Sequence, residues 1–225
     1  MKRDVMNARA FVLVALALAL SVAACGSSSK SAAGQSTAPI VAPKSAASDP
    51  QPWPAPSDPM ARARAAGLVP ENAEQLQYHV HAHLDVFIDG RHILVPAGLG
   101  IDIANPRVHR FTTGGLPSYG GIVIPCDQPC ISPLHTHDVT GILHTESPTQ
   151  KDNTLGQFFI EWNVRLDANC VATYCKPAAA VAIYVNGTRF DGDPTTIPLS
   201  DHTEIAVVIG TPPAQIPNAA DWTQI

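Results

Sequence analysis

Between Tyr78 and Ile88 the chain alternates with a period of two residues. Tyr78, Val80, Ala82, Leu84, Val86 and Ile88 fall on one parity, and His79, His81, His83, Asp85, Phe87 and Asp89 on the other. Successive side chains of a strand point to opposite faces, so this pattern predicts a long β-strand with one apolar and one largely polar face. Asp89-Gly90 reads as a type I′ turn into a return strand over 93–95. Val181–Val185, Asn186-Gly187 and Thr188–Phe190 predict a second hairpin, and 204–209 a buried closing strand. The two hairpins hint at an internal repeat. Residues 122–124, 134–138 and 142–146 are further strand candidates, the last two joined by a turn at Gly141, whereas the Gly- and Pro-rich 97–121 reads as loop with at most one short strand.

Helical periodicity occurs in two places. Residues 61–66 with Leu68 suit a short helix closed by Gly67 and Pro70. Leu155, Phe158, Phe159 and Trp162 recur at i, i+3, i+4 and i+7, and Thr154 with Gln157 three residues on fits a capping box. The expected fold is mainly β, an antiparallel sandwich or open barrel, with one short helix packing its aromatic stripe on the sheet.

The N-terminus follows another pattern. Phe11 to Ala24 are uncharged and almost entirely apolar, preceded by Lys2, Arg3 and Arg9. The run is too short to span a bilayer comfortably and reads as a signal peptide over 1–24. Val22-Ala23-Ala24-Cys25 resembles the lipobox of bacterial lipoproteins, which implies diacylglyceryl attachment at Cys25 after cleavage and a lipid anchor outside the cytoplasm. Residues 25–60 are dominated by Ser, Ala, Pro, Gly and Gln, with no aromatic before Trp53, and are expected to be a disordered tether. One β-rich domain, 61–225, remains.

Composition narrows the partners. Without Lys2, Arg3, Arg9 and Asp4, the chain from Cys25 carries 11 Lys and Arg against 18 Asp and Glu, a formal charge of −7. No basic stripe survives, which argues against nucleic acid and leaves the lipid as the membrane attachment. Cys126, Cys130, Cys170 and Cys175 form an even set in an exported domain and favour two disulfides; two local loops are the first choice and cross-pairing the second. Neither pair is a C-x-x-C redox motif.

The candidate chemistry lies in the histidines. His79, His81, His83, His135, His137 and His144 make two H-x-H-type sets and one downstream ring. Side chains at i and i+2 of a strand share a face about 6.7 Å apart, and i and i+4 about 13 Å, so at most two of the first three serve one ion. His135 and His137 repeat the spacing, a turn around 138–141 lays His144 beside them, and Glu146 follows on the same face. Such a set suits zinc, copper, nickel or iron, zinc or copper foremost, with Asp85 and Asp138 placed to accept hydrogen bonds from the far ring nitrogens. The competing readings are a solvated polar strand face and a buried network with Thr136, Thr140 and Thr145. His92, His109 and His202 stand alone.

The blocks LHTHDVTGILHTESP, TLGQFFIEW and VNGTRFDGDPTTIPLSDHTEIAVVIG resemble a group of exported or membrane-anchored bacterial and archaeal proteins over about residues 76–213. The resemblance implies one extracytoplasmic module holding its histidines as a set, and no activity. The chain lacks an H-E-x-x-H helix, a G-x-S-x-G elbow, a phosphate loop and a dinucleotide fingerprint. A blue-copper centre is disfavoured because Met60 is the one methionine after the apolar run. The sequence thus points to metal capture, buffering or delivery at the envelope. The alternatives are a metal-dependent enzyme with Glu146 as general base and a non-catalytic adhesion or assembly module.

Overall fold

A computed structural model describes residues 52–224. In chain order its elements are α1 (Pro59–Ala65), β1 (Tyr78–Ile88), β2 (Arg91–Ile93), β3 (His109–Thr113), β4 (Leu116–Gly120), β5 (Leu134–His135), β6 (Ile142–Ser147), α2 (Leu155–Trp162), β7 (Cys170–Val171), β8 (Tyr174–Cys175), β9 (Val181–Val185), β10 (Thr188–Phe190) and β11 (Thr203–Ile209). Short 3₁₀ turns lie at Pro194–Thr196 and Trp222–Gln224. The fold is mainly β, and its main sheet is open, ordered β10-β9-β11-β1-β6-β5 with β2 also on β1.

Most pairings are antiparallel, but β1 and β11 run parallel, with Leu84 beside Ile205 and Val86 beside Val207. These strands lie far apart in sequence, and only a long intervening excursion returns the chain in the same direction. A central strand covered on both faces reads as a continuous apolar run, and β11 is buried from Glu204 to Ile209.

Alternation assigns the two faces of the sheet. Ala82, Leu84 and Val86 of β1 join Leu134, Leu143, Ile205, Val207 and Ile209 in the main core. Helix α2 closes that core with Leu155, Phe158, Phe159 and Trp162, its aromatic stripe against the sheet as the periodicity requires. Its capping box is formed: the Gln157 backbone N–H donates to Thr154 Oγ1 at 3.3 Å, and the Thr154 N–H donates to Gln157 Oε1 at 3.0 Å. Thr154→Ala should therefore cost about 1 kcal/mol, read as a lower urea midpoint with an unchanged slope. On the opposite face Phe87, Ala206 and Val208 pack with Tyr184 and Ile216, and the histidine-bearing residues occupy the other end.

Several expectations need correction. β2 covers 91–93 rather than 93–95, because Asp89 and Gly90, at φ 49° and 77°, complete the turn in two residues and pairing resumes at once. Residues 109–120 form the hairpin β3–β4 instead of loop; Gly114-Gly115 supply its turn, and an exposed β3 leaves no burial alternation to read. Residues 122–124 form no strand, and Val123 and Ile124 are exposed. Only Leu134 and His135 enter the ladder from 134–138, since the Thr136 N–H donates to the Leu99 carbonyl. The short helix expected over 61–66 is present as α1 but starts two residues earlier, at Pro59, a residue suited to a first helical turn.

Both disulfides are local, Cys126–Cys130 and Cys170–Cys175, the latter across the small hairpin β7–β8. They point to an oxidising, extracytoplasmic compartment. Among the described residues no helix is long and apolar enough to cross a membrane. The signal peptide, Cys25 and the tether as far as 51 lie outside the described residues. The folded part already includes Trp53, whose ring sits edge-on to Trp162 and whose carbonyl accepts the Trp162 indole N–H at 2.8 Å.

Candidate metal centre

Strand register sets imidazole beside imidazole on the polar face. His135 of β5 is opposite His144 of β6, His144 is opposite His81 of β1, and Glu146 is opposite His79. His137, just beyond β5, brings its ring centroid to 4.8 Å from that of His135 and 4.3 Å from that of His144. His135, His137, His144 and Glu146 each offer one ligand atom, all within 4.8 Å of one another; His79, His81 and His144 form a second such group. His144 belongs to both, so the groups are contiguous.

Backbone carbonyls orient His135 and His137. His135 Nδ1–H donates to Ser132 O at 2.9 Å, and His137 Nδ1–H to Tyr119 O at 2.5 Å. A carbonyl only accepts, so each bond fixes the tautomer and leaves Nε2 with its lone pair free for a ligand. His135 Nε2 is fully buried and has no hydrogen-bond partner. Glu146 Oε1 lies 3.3 Å from His79 Nε2, 3.7 Å from His135 Nε2 and 3.8 Å from His144 Nδ1. Gly120 permits this packing: a Cβ there would stand 2.6 Å from His137 Nδ1, inside the ring's van der Waals envelope.

Burial sets the protonation states. Loss of water lowers the pKa of His135 and His144 far below the usual imidazole value, with the neighbouring rings adding to the effect. Burial, then His79, brings His81 down to about 4; burial and His137 lower His79. These rings are therefore neutral near pH 7, the state a metal requires. Glu146 moves the other way, to about 8, through burial with a contribution from Glu74. A cleft of about 320 Å³ lined by Thr113, Ser118, Asp138, Thr140 and Ile142 opens on His137 and His144.

Two of the three β1 histidines converge, as strand spacing requires, and they are His79 and His81, whose ring centroids are 4.5 Å apart. His83 turns away: its Nδ1 lies 3.0 Å from Glu204 Oε2, and its Nε2–H donates to Thr140 O at 2.9 Å. Burial opposes charge on that ring, yet Glu204 and Asp85 outweigh it and raise its pKa. Neither aspartate contacts the clustered rings in the expected way. Asp85 pairs with His92 at 2.7 Å, while Asp138 accepts from the Thr140 N–H at 2.9 Å and hydroxyl at 2.6 Å, capping the turn. Sequence reasoning missed Glu204, concealed in the apolar run of β11, although its parity with Ala206 and Val208 places it on the polar face. Compared with protein-family models, curated proteins and solved structures, the chain matches none.

Proposed function

We propose that this protein is a lipid-anchored, extracytoplasmic binder of a transition metal, zinc or copper, which captures, buffers or delivers the ion at the cell envelope. The observation carrying this reading is His135 Nε2, buried without a partner and facing Glu146 and two more imidazoles. An unsatisfied buried polar atom costs about 1–3 kcal/mol, and an ion coordinated by these groups removes that cost. Imidazole nitrogens with one carboxylate suit a borderline ion such as zinc or copper. His135, His137, His144 and Glu146 would hold it, with His79 and His81 on the more open side. The disulfides support the compartment; the apolar run ending at Cys25 supports the anchor, as does the resemblance to exported proteins.

Elemental analysis tests the reading. The full chain, equilibrated with zinc and then desalted, should retain about one ion per chain more than its His135→Ala/His137→Ala variant. Equal retention by two folded proteins would overturn it. A second reading, a metal-dependent enzyme, draws on the cleft beside His137 and His144, which leaves room for a substrate at an open coordination position. In that case Glu146, 4% exposed beneath the rings, is better placed as ligand than as general base.

A further inference from the structure

The structure points to a second divalent-cation site, chemically distinct from the imidazole centre, formed by His83 and Asp85 of β1 and Glu204 of β11. Parallel register places His83 directly beside Glu204, and Asp85 follows two residues along on the same face. One ligand atom from each lies within 4.8 Å of the others. Thr140 O accepts the His83 Nε2–H, so in the neutral ring Nδ1 is a bare lone pair. Gly141 allows that contact. At φ +88° it turns the chain over the ring, and a Cβ there would meet Leu84 O at 2.6 Å and His83 Nε2 at 3.1 Å.

Nδ1 faces both oxygens of Glu204, Oε1 at 3.2 Å in hydrogen-bond geometry and Oε2 at 3.0 Å, with Asp85 Oδ2 at 3.8 Å, so a proton on Nδ1 is shared with Oε1 alone. Glu204 is 1% exposed, and its Oε2 has no hydrogen-bond partner. Three electron-rich atoms converging out of water repel unless a positive charge lies among them. A proton on Nδ1 bridges only one pair at a time, whereas a divalent ion serves all three atoms and is neutralised by the two carboxylates. His92 Nε2, 2.7 Å from Asp85 Oδ1, holds that carboxylate in place. Two carboxylates and one imidazole make a harder donor set than the imidazole-rich centre, suited to manganese, ferrous iron or zinc.

Manganese(II) titration of the full chain, followed by electron paramagnetic resonance of the free ion, separates this site from the other. Wild type and His135→Ala/His137→Ala should bind manganese equally. Asp85→Asn and Glu204→Gln should each weaken it by at least about tenfold. Asp85 is less buried than Glu204, so Asp85→Asn keeps the test decisive should Glu204→Gln fail to fold. No uptake by wild type, loss of uptake in His135→Ala/His137→Ala, or full affinity in Asp85→Asn would each overturn the proposal. Equal zinc retention in the earlier comparison would remove the imidazole centre and leave this result untouched.

Discussion

Zinc at about a thousand times its dissociation constant should widen the gap in melting temperature between wild type and His135→Ala/His137→Ala by roughly 8–16 °C. An ion that binds only the folded state stabilises it by RT ln(1 + [L]/Kd), about 4 kcal/mol at that excess. For a domain of this size each kcal/mol moves the midpoint by about 2–4 °C. The gap is the quantity to read, because any ion held elsewhere contributes to both proteins. The neutral state of His135, His144 and His81 near pH 7 makes the effect large, since none of them must lose a proton to bind. Differential scanning fluorimetry with and without zinc supplies the measurement. A gap that zinc does not change would mean that the rings are packed imidazoles with no ion to hold.

What was legible in the chain follows from what side chains record. Alternation in β1 specified a strand with its histidines on one face, and the Asp89-Gly90 and Asn186-Gly187 turns specified two hairpins; all of these are present. The helical spacing of Leu155, Phe158, Phe159 and Trp162 likewise has one solution, a stripe on the core. The H-x-H spacings gathered most of the histidine cluster, because residues two apart on a strand must share a face. Pairing between distant segments left weaker marks. β11 beside β1 in parallel orientation is a consequence of topology, and nothing local to either strand announces it. Ser132 and Tyr119 act on the histidines through backbone carbonyls, which have no side-chain signature. The sorting of His83 away from the cluster depends on Glu204, a long-range neighbour at the start of a strand that is otherwise apolar from Ile205 to Ile209.

Glu161→Gln should stabilise the protein at pH 8 and leave it nearly unchanged at pH 4.5. Glu161 lies on α2 beside Trp162, 1% exposed, and neither carboxylate oxygen reaches a partner in hydrogen-bond geometry. Burial pushes its pKa from 4.5 up to about 8, against a weaker opposing influence from Ser132. Below pH 4.5 both folded and unfolded chains hold the proton and there is no penalty. As pH rises from 4.5 towards 8 the unfolded chain ionises while the folded one keeps its proton, so stability falls across that window. The loss is on the order of 4 kcal/mol at its upper end, and an amide, which does not ionise, removes it. Glu146 and Glu204 are raised as well and tilt both proteins alike, so the difference between wild type and variant isolates Glu161. Urea unfolding from pH 4.5 to 8.5 should show the two curves diverging with rising pH. A constant difference would mean that Glu161 titrates with the same pKa in the folded and unfolded chains. Divergence would place a pH-dependent penalty in the helix that supports the sheet, outside the histidine-bearing face, so Glu161→Gln should leave zinc retention unchanged.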